Sequence, residues 1–137
     1  LEKLTPYHKG IGPAWTKGAT LPGGDINGDR DDYAATLRRR YPFISESLAR
    51  HFARTYGSNS ELLLGQAKSV ADLGEDFGHE FYEAELRYLV EHEWVRRADD
   101  ALWRRTKQGM WLNAEQQSRV AQWLLQNAGK RELSLAS

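Results

Sequence analysis

Two histidine–glutamate pairs come nearest, in residue type and spacing, to a catalytic metal site. His79-Glu80 and His92-Glu93 both begin the helical zinc-protease pattern, which needs a second histidine four positions later so that both imidazoles face one metal. That position holds Glu83 in the first case and Arg96 in the second. Each pair lacks a third ligand as well, so we expect no metal site and assign no metal ligand.

Carboxylates are the other group that could do chemistry. Five of them lie close together and could supply a general acid and a general base. On a helix this rich in charge, we interpret them as a solvated face. Neither GxGxxG, GxxxxGK[ST] nor GxSxG occurs, so no catalytic and no cofactor-binding residue is assigned. The five acids are Glu80, Glu83, Glu85, Glu91 and Glu93.

Basic and aromatic side chains are concentrated in one stretch, where arginines alternate with tryptophans. Such a surface could bind single-stranded nucleic acid. Nearby acids dilute its charge, and Lys plus Arg balance Asp plus Glu at 19 each, so salt bridging or docking to a neighbouring domain is favoured. Tryptophan and arginine carry much of the binding energy at interfaces. The residues that we expect to contact a missing domain or a partner are Trp94, Arg97, Trp103, Arg104 and Arg105.

Size and composition limit the kind of protein in which these groups occur. The 137 residues fit one domain with a real core, and no cysteine is present for disulfides or thiolate sites. The chain has no apolar run of the roughly 18 to 20 residues that span a bilayer. It begins with leucine rather than methionine, from which we expect an excised domain whose further motifs lie upstream.

Caps and apolar spacing predict an all-α fold, a compact bundle of about six helices with an extended Gly/Pro-rich N-terminal arm. We expect residues 1–28 to be the end of a helix plus the linker arm, 29–129 the helical domain, and 130–137 a flexible tail. Within the domain, Leu102 and Trp103 are expected to face inward. The expected helices begin at residues 29–32, 45, 58, 69, 79, 99 and 113, with capping-box patterns at residues 58–61 and 113–116. They are expected to end near residues 42, 57, 65, 73, 93, 109 and 129.

One long string identifies a family. YEAELRYLVEHEWVRRADDALWRRT, residues 82–106, closely resembles the C-terminal helical domain of aerobic, FAD-dependent glycerol-3-phosphate dehydrogenases. GIGPAWTKGATLPGGDI, RDDYAATLRRRYPF, ARTYGSNSELLL and DLGEDFGHEFYEAEL resemble the same family in order, so the similarity covers essentially the whole chain. The likeness is greatest to the enzymes of Gram-negative bacteria, which end in a tail like LSLAS.

The resemblance implies a parent enzyme that oxidises sn-glycerol 3-phosphate to dihydroxyacetone phosphate and passes electrons through FAD to quinone. The parent would be peripheral on the inner face of the cytoplasmic membrane. The N-terminal FAD and substrate domain of the same polypeptide would be the partner, with a homodimer and a membrane contact also compatible. The chain alone is then expected to bind no FAD and to be inactive. The alternative is a free-standing helical module that binds nucleic acid or a protein.

Overall fold

The chain folds into short helices around one apolar core. The computed structural model describes residues 17–26 and 28–128, and in these residues there are five α-helices, one π-helix and no β-strand. This confirms the all-α prediction. The α-helices are α1 (Arg30–Arg40), α2 (Glu46–Thr55), α3 (Ser60–Leu64), α4 (Glu83–His92) and α5 (Ala114–Asn127); the π-helix is Asp100–Arg105, and 3-10 helices cover Gly57–Asn59, Val70–Leu73 and Gln108–Met110.

Helices α1 and α2 pack against each other as an antiparallel hairpin. Asp29 starts α1 through a capping box with Asp32, and its carboxylate accepts the Asp32 backbone N–H at 2.9 Å. The Ser45 hydroxyl starts α2 by accepting the Leu48 N–H at 3.0 Å. Both starts agree with the sequence predictions. The hairpin directs Leu37, Leu48 and Phe52 into the core.

The predicted start of the fourth α-helix is wrong. Helix α4 begins at Glu83, not near His79, because residues 74–82 form a tight hairpin closed by an antiparallel bridge between Asp76 and Tyr82. Phe77 and Phe81 are fully buried from this loop, and their backbones pair directly, Phe77 N to Phe81 O, at 2.9 Å. A helix could not place two rings four residues apart in the core and also reverse the chain between them.

The predicted capping box at Ser58 is also wrong. Its hydroxyl donates to the Asp25 carboxylate, and α3 begins at Ser60 without a side-chain cap. The arm explains the difference, because the Ser58 N–H donates to the Gly23 carbonyl at 3.1 Å. Gly57 has a φ of +55°, and a Cβ there would overlap the Gly23 carbonyl oxygen, so only glycine allows this approach. Residues 23–26 therefore lie against the body.

The helix predicted to start at Asp99 differs in cap, type and end. Asp99 makes no capping bond; the Asp100 carboxylate instead accepts the Arg97 N–H at 3.3 Å. The turn is a π-helix whose last bond joins Thr106 N to Ala101 O, five residues apart, at 3.0 Å. It ends at Arg105 rather than near Gly109, since Lys107 takes a left-handed φ of 62°.

The last helix agrees with the sequence. Asn113 and Gln116 form the predicted capping box of α5, and Val120 and Leu124 are buried. None of the helices in residues 17–26 and 28–128 is long and apolar enough to cross a membrane. The expectations for the helix end at the start of the chain and for the tail at 130–137 lie outside the described residues.

Candidate docking surface and a buried carboxylate

Trp94 is the most exposed aromatic side chain in the described part of the protein. It follows α4, 82% of it is exposed, and its backbone has a φ of 61°. A non-glycine residue in the left-handed region costs about 1–3 kcal/mol, which surrounding structure must offset. An exposed indole adds the cost of apolar surface in water. Two unfavourable features at one residue point to a function that the isolated domain does not show.

The arginines of this stretch have different partners. Arg105 bridges to the turn that carries Trp94, because its guanidinium binds the Glu93 carboxylate at 2.9 Å and the Glu93 carbonyl at 3.1 Å. Arg104 binds the Asp100 carboxylate at 2.9 Å within the π-helix. Arg97 is exposed and its side chain forms no ion pair with another described residue. Internal salt bridging therefore holds Arg104 and Arg105, while Arg97 has no ion pair in the described part of the chain.

Trp103 does not face inward as predicted, since 42% of it is exposed. One side of its indole rests on Gly109, where a Cβ would overlap the ring atoms. Met110 and Trp111 follow directly and are also exposed, which the sequence reasoning missed. The sequence does indicate that Met110 and Trp111 are exposed. These two large apolar residues lie between two predicted helices and have no helical neighbour at the spacing that would bury them. We call the exposed side chains from Trp94 to Trp111 the basic aromatic surface.

Glu85 is the functional residue that the sequence reasoning placed wrongly. It was expected on a solvated face, yet it is 0% exposed in the first turn of α4. Its Oε1 atom accepts hydrogen bonds from His51 Nε2 at 2.8 Å and from the Tyr56 hydroxyl at 2.8 Å. Its Oε2 atom has no partner among the described residues. A signal existed, because Glu85 lies three and four residues before the buried Tyr88 and Leu89.

The electrostatics of this group follow from its burial. Burial by itself lowers the pKa of His51, but the charge of Glu85 and the hydrogen bond to it outweigh that effect, so the pKa is raised. Burial and the adjacent Glu85 charge hold the pKa of Tyr56 well above its ordinary range. The triad of Glu85, His51 and Tyr56 joins α2 to α4 and is a structural clamp.

Members of the two histidine–glutamate pairs contact neighbouring side chains. Glu80 accepts hydrogen bonds from the Ser45 and Ser47 hydroxyls, and His92 Nε2 lies 3.8 Å from a Glu91 oxygen. Across residues 17–26 and 28–128, no three His, Asp or Glu side chains are placed to hold a metal ion.

Comparison with known proteins gives a consistent result. A family model described as the C-terminal domain of alpha-glycerophosphate oxidase matches residues 14–132. The chain is 81% identical over 137 residues to an aerobic glycerol-3-phosphate dehydrogenase of Escherichia coli, covering 100% of this chain and 27% of that protein.

Two more distant relatives cover the same part. A glycerol-3-phosphate dehydrogenase of Pseudomonas aeruginosa is 42% identical over 124 residues, 90% of this chain and 24% of that protein. A D-erythritol 1-phosphate dehydrogenase of Brucella abortus is 40% identical over 124 residues, 90% of this chain and 25% of that protein. The chain thus spans about a quarter of the length of these relatives.

Proposed function

The chain belongs to the family of C-terminal domains of alpha-glycerophosphate oxidase, and from this premise we propose that it is the accessory docking domain of an FAD-dependent sn-glycerol-3-phosphate dehydrogenase. The names of the relatives support this activity, two being glycerol-3-phosphate dehydrogenases. In the proposed reaction the C2 hydroxyl becomes the ketone of dihydroxyacetone phosphate, with the hydride passing to FAD and the electrons on to quinone. The comparisons give no support to the alternative of a free-standing nucleic-acid-binding module.

The flavin chemistry is assigned to the part of the parent outside this chain. The sequence has no GxGxxG motif, and the buried clamp of Glu85, His51 and Tyr56 is occupied by its own hydrogen bonds. We therefore expect the purified 137-residue chain to be colourless and unable to oxidise glycerol 3-phosphate. Flavin absorbance that co-purifies with this chain alone would contradict the assignment.

The basic aromatic surface is the proposed contact with the N-terminal FAD and substrate domain. The main support for this contact is Trp94, whose side chain is exposed and whose backbone is left-handed. Both costs are offset when a partner covers the indole. Arg97, which has no ion pair among the described residues, supplies a guanidinium nearby, and Trp103, Arg104 and Arg105 extend the contact. Tryptophan and arginine at the centre of an interface commonly contribute about 2 kcal/mol or more.

The test uses the full-length parent and this chain in parallel. Trp94→Ser in the parent should lower glycerol-3-phosphate-dependent reduction of a quinone analogue and lower the melting temperature, while the isolated chain loses no stability. Leu125→Ser is the matched control, because Leu125 is equally exposed but lies on α5. Equal, small effects of the two changes in the parent would refute the docking role.

The arginines are tested in the same way. Alanine at both Arg104 and Arg105 in the parent should weaken folding or activity, since their salt bridges shape the surface. Unchanged folding and activity would remove them from the contact. Salt-sensitive binding of the isolated chain to duplex DNA would instead favour the nucleic-acid module.

A further inference from the structure

A small notch borders the clamp through His51 and the basic aromatic surface through Trp111, and neither role accounts for its acidic side chain, Glu80. It has a volume of about 220 Å³ and lies between α2, the tip of the 74–82 hairpin and the segment that carries Trp111. Its polar lining comes from Ser47, His51, His79, Glu80 and Gln108.

The tip of the hairpin holds Glu80 in a fixed place. His79 and Glu80 have φ values of 54° and 59°, two successive non-glycine residues in the left-handed region. The fully buried Phe77 and Phe81 anchor the hairpin on either side. Such strained backbone persists only where the surrounding structure enforces it, and it clusters at functional sites.

The carboxylate of Glu80 is oriented but not neutralised. The Ser45 hydroxyl donates to Oε1 and the Ser47 hydroxyl to Oε2. Glu80 forms no ion pair with a cation in residues 17–26 or 28–128. His51 also lines the notch, but its Nε2 is taken by Glu85. Glu80 also contributes to the raised pKa of His51, but two carboxylates, Glu85 and Glu80, share this single imidazole, so a negative charge is left over even when His51 is protonated.

The lining of the notch also includes an aromatic face and an amide. Trp111 is 63% exposed. Gln108 is 8% exposed, and within the described part of the chain only its backbone is hydrogen-bonded. Its amide is accessible from the notch rather than buried without a partner, so its oxygen can accept from a ligand. A ligand that supplied donors would satisfy the Gln108 oxygen and the Glu80 carboxylate together.

We propose that this notch receives the guanidinium group of an arginine from the part of the parent polypeptide outside this chain. The planar guanidinium presents several N–H donors to a carboxylate and also stacks on indole rings, which an ammonium group does less well. The choice of this occupant rests on the proposed function. The chain covers 27% of its 81%-identical relative, so the larger part of such a polypeptide is available to cover the notch. An acidic notch beside a basic surface also fixes the orientation of docking.

Photo-cross-linking in the full-length parent tests the occupant. A benzoylphenylalanine at position 111 should cross-link, within one polypeptide, to an arginine-containing segment that precedes this chain. The same group at the exposed position 125 is the control and should not label that segment. A cross-link between two polypeptides, a labelled segment without arginine, or no cross-link at position 111 would each overturn the proposal.

Charge variants test the carboxylate. Glu80→Gln should lower the cross-link yield about tenfold, the loss expected when one partner of a desolvated pair is neutralised. Glu115→Gln removes an exposed acid on α5 and should leave the yield unchanged. The charges can also be exchanged: in the Glu80→Arg variant, replacing the cross-linked arginine with glutamate should restore the cross-link yield. A merely misfolded variant would not be restored in this way. An unchanged yield in Glu80→Gln, or no restoration, overturns the proposal. A parent without glycerol-3-phosphate activity would refute the proposed function and leave the cross-linking result standing.

Discussion

Neutralising Glu85 should destabilise the domain in a pH-dependent way. Glutamine keeps the shape of the side chain, so no cavity forms, and its oxygen can still accept from His51 and Tyr56. The substitution removes the negative charge of the acceptor in two hydrogen bonds of 2.8 Å. Bonds to a charged group contribute about 1 kcal/mol more than neutral ones, so we expect Glu85→Gln to cost about 2 kcal/mol near pH 6. Glu85→Ala adds a cavity and strands the Tyr56 hydroxyl, and should cost about 3–5 kcal/mol.

The direction of the pH effect follows from His51. Its folded pKa is raised above the unfolded value, so the stabilisation by His51 is fully present below about pH 6.5 and is lost as the pH rises through the folded pKa. The difference between the original chain and Glu85→Gln should therefore shrink from about pH 6 to about pH 9, where the imidazole is neutral.

Urea unfolding followed by circular dichroism, at both pH values, measures these free energies. Glu83→Gln is the matched control on the same helix. Its carboxylate lies 3.7 Å from Arg87 in a partly exposed i,i+4 pair, worth under about 0.5 kcal/mol. A loss for Glu85→Gln no larger than that of Glu83→Gln would refute the buried clamp. An equal loss at both pH values would refute the role given to His51.

Three further changes have definite expected outcomes. Tyr56→Phe should cost about 1–2 kcal/mol in the same urea assay, whereas Tyr33→Phe should cost nothing, because the buried Tyr33 hydroxyl has no partner among the described residues; equal losses would contradict this. Gly57→Ala should cost more than about 2 kcal/mol by displacing the arm, while Gly18→Ala, with nothing within 4 Å, should be neutral. Trp94→Gly should raise the free energy of unfolding of the isolated chain by roughly 0.5–1 kcal/mol, since it relieves the left-handed backbone; a lowered melting temperature would argue against strain there.

Local rules predicted the parts of the fold that depend on local chemistry. Asp29, Ser45 and Asn113 cap helices as their sequence context indicates, because a cap is made by residues within three positions. The capping prediction at Ser58 was wrong because the partners of this residue are distant in the sequence. Its hydroxyl and N–H are taken by Asp25 and Gly23, which no local pattern around Ser58 reveals.

The candidate site was predicted only in part. The stretch from Trp94 to Arg105 was identified by its composition, but its left-handed turn, its π-helix and the internal partners of its arginines were not. Glu85 was placed on the surface although its spacing to Tyr88 and Leu89 indicates a buried face, because that spacing does not show that two buried donors would receive its carboxylate. That pairing depends on how α2 packs on α4, which is a tertiary property.

The π-helix makes the basic aromatic surface sensitive to length rather than to composition. Its closing bond spans five residues, from Thr106 to Ala101, so the turn contains one residue more than an α-helix would need. Deleting a single residue between Asp100 and Arg105 would let the ordinary four-residue bond form and would rotate the rest of the turn by about 100°. Trp103 would then leave Gly109, and Arg105 would leave Glu93, without any change in the chemical character of the segment. Insertions and deletions in this turn should therefore disturb docking more than substitutions do.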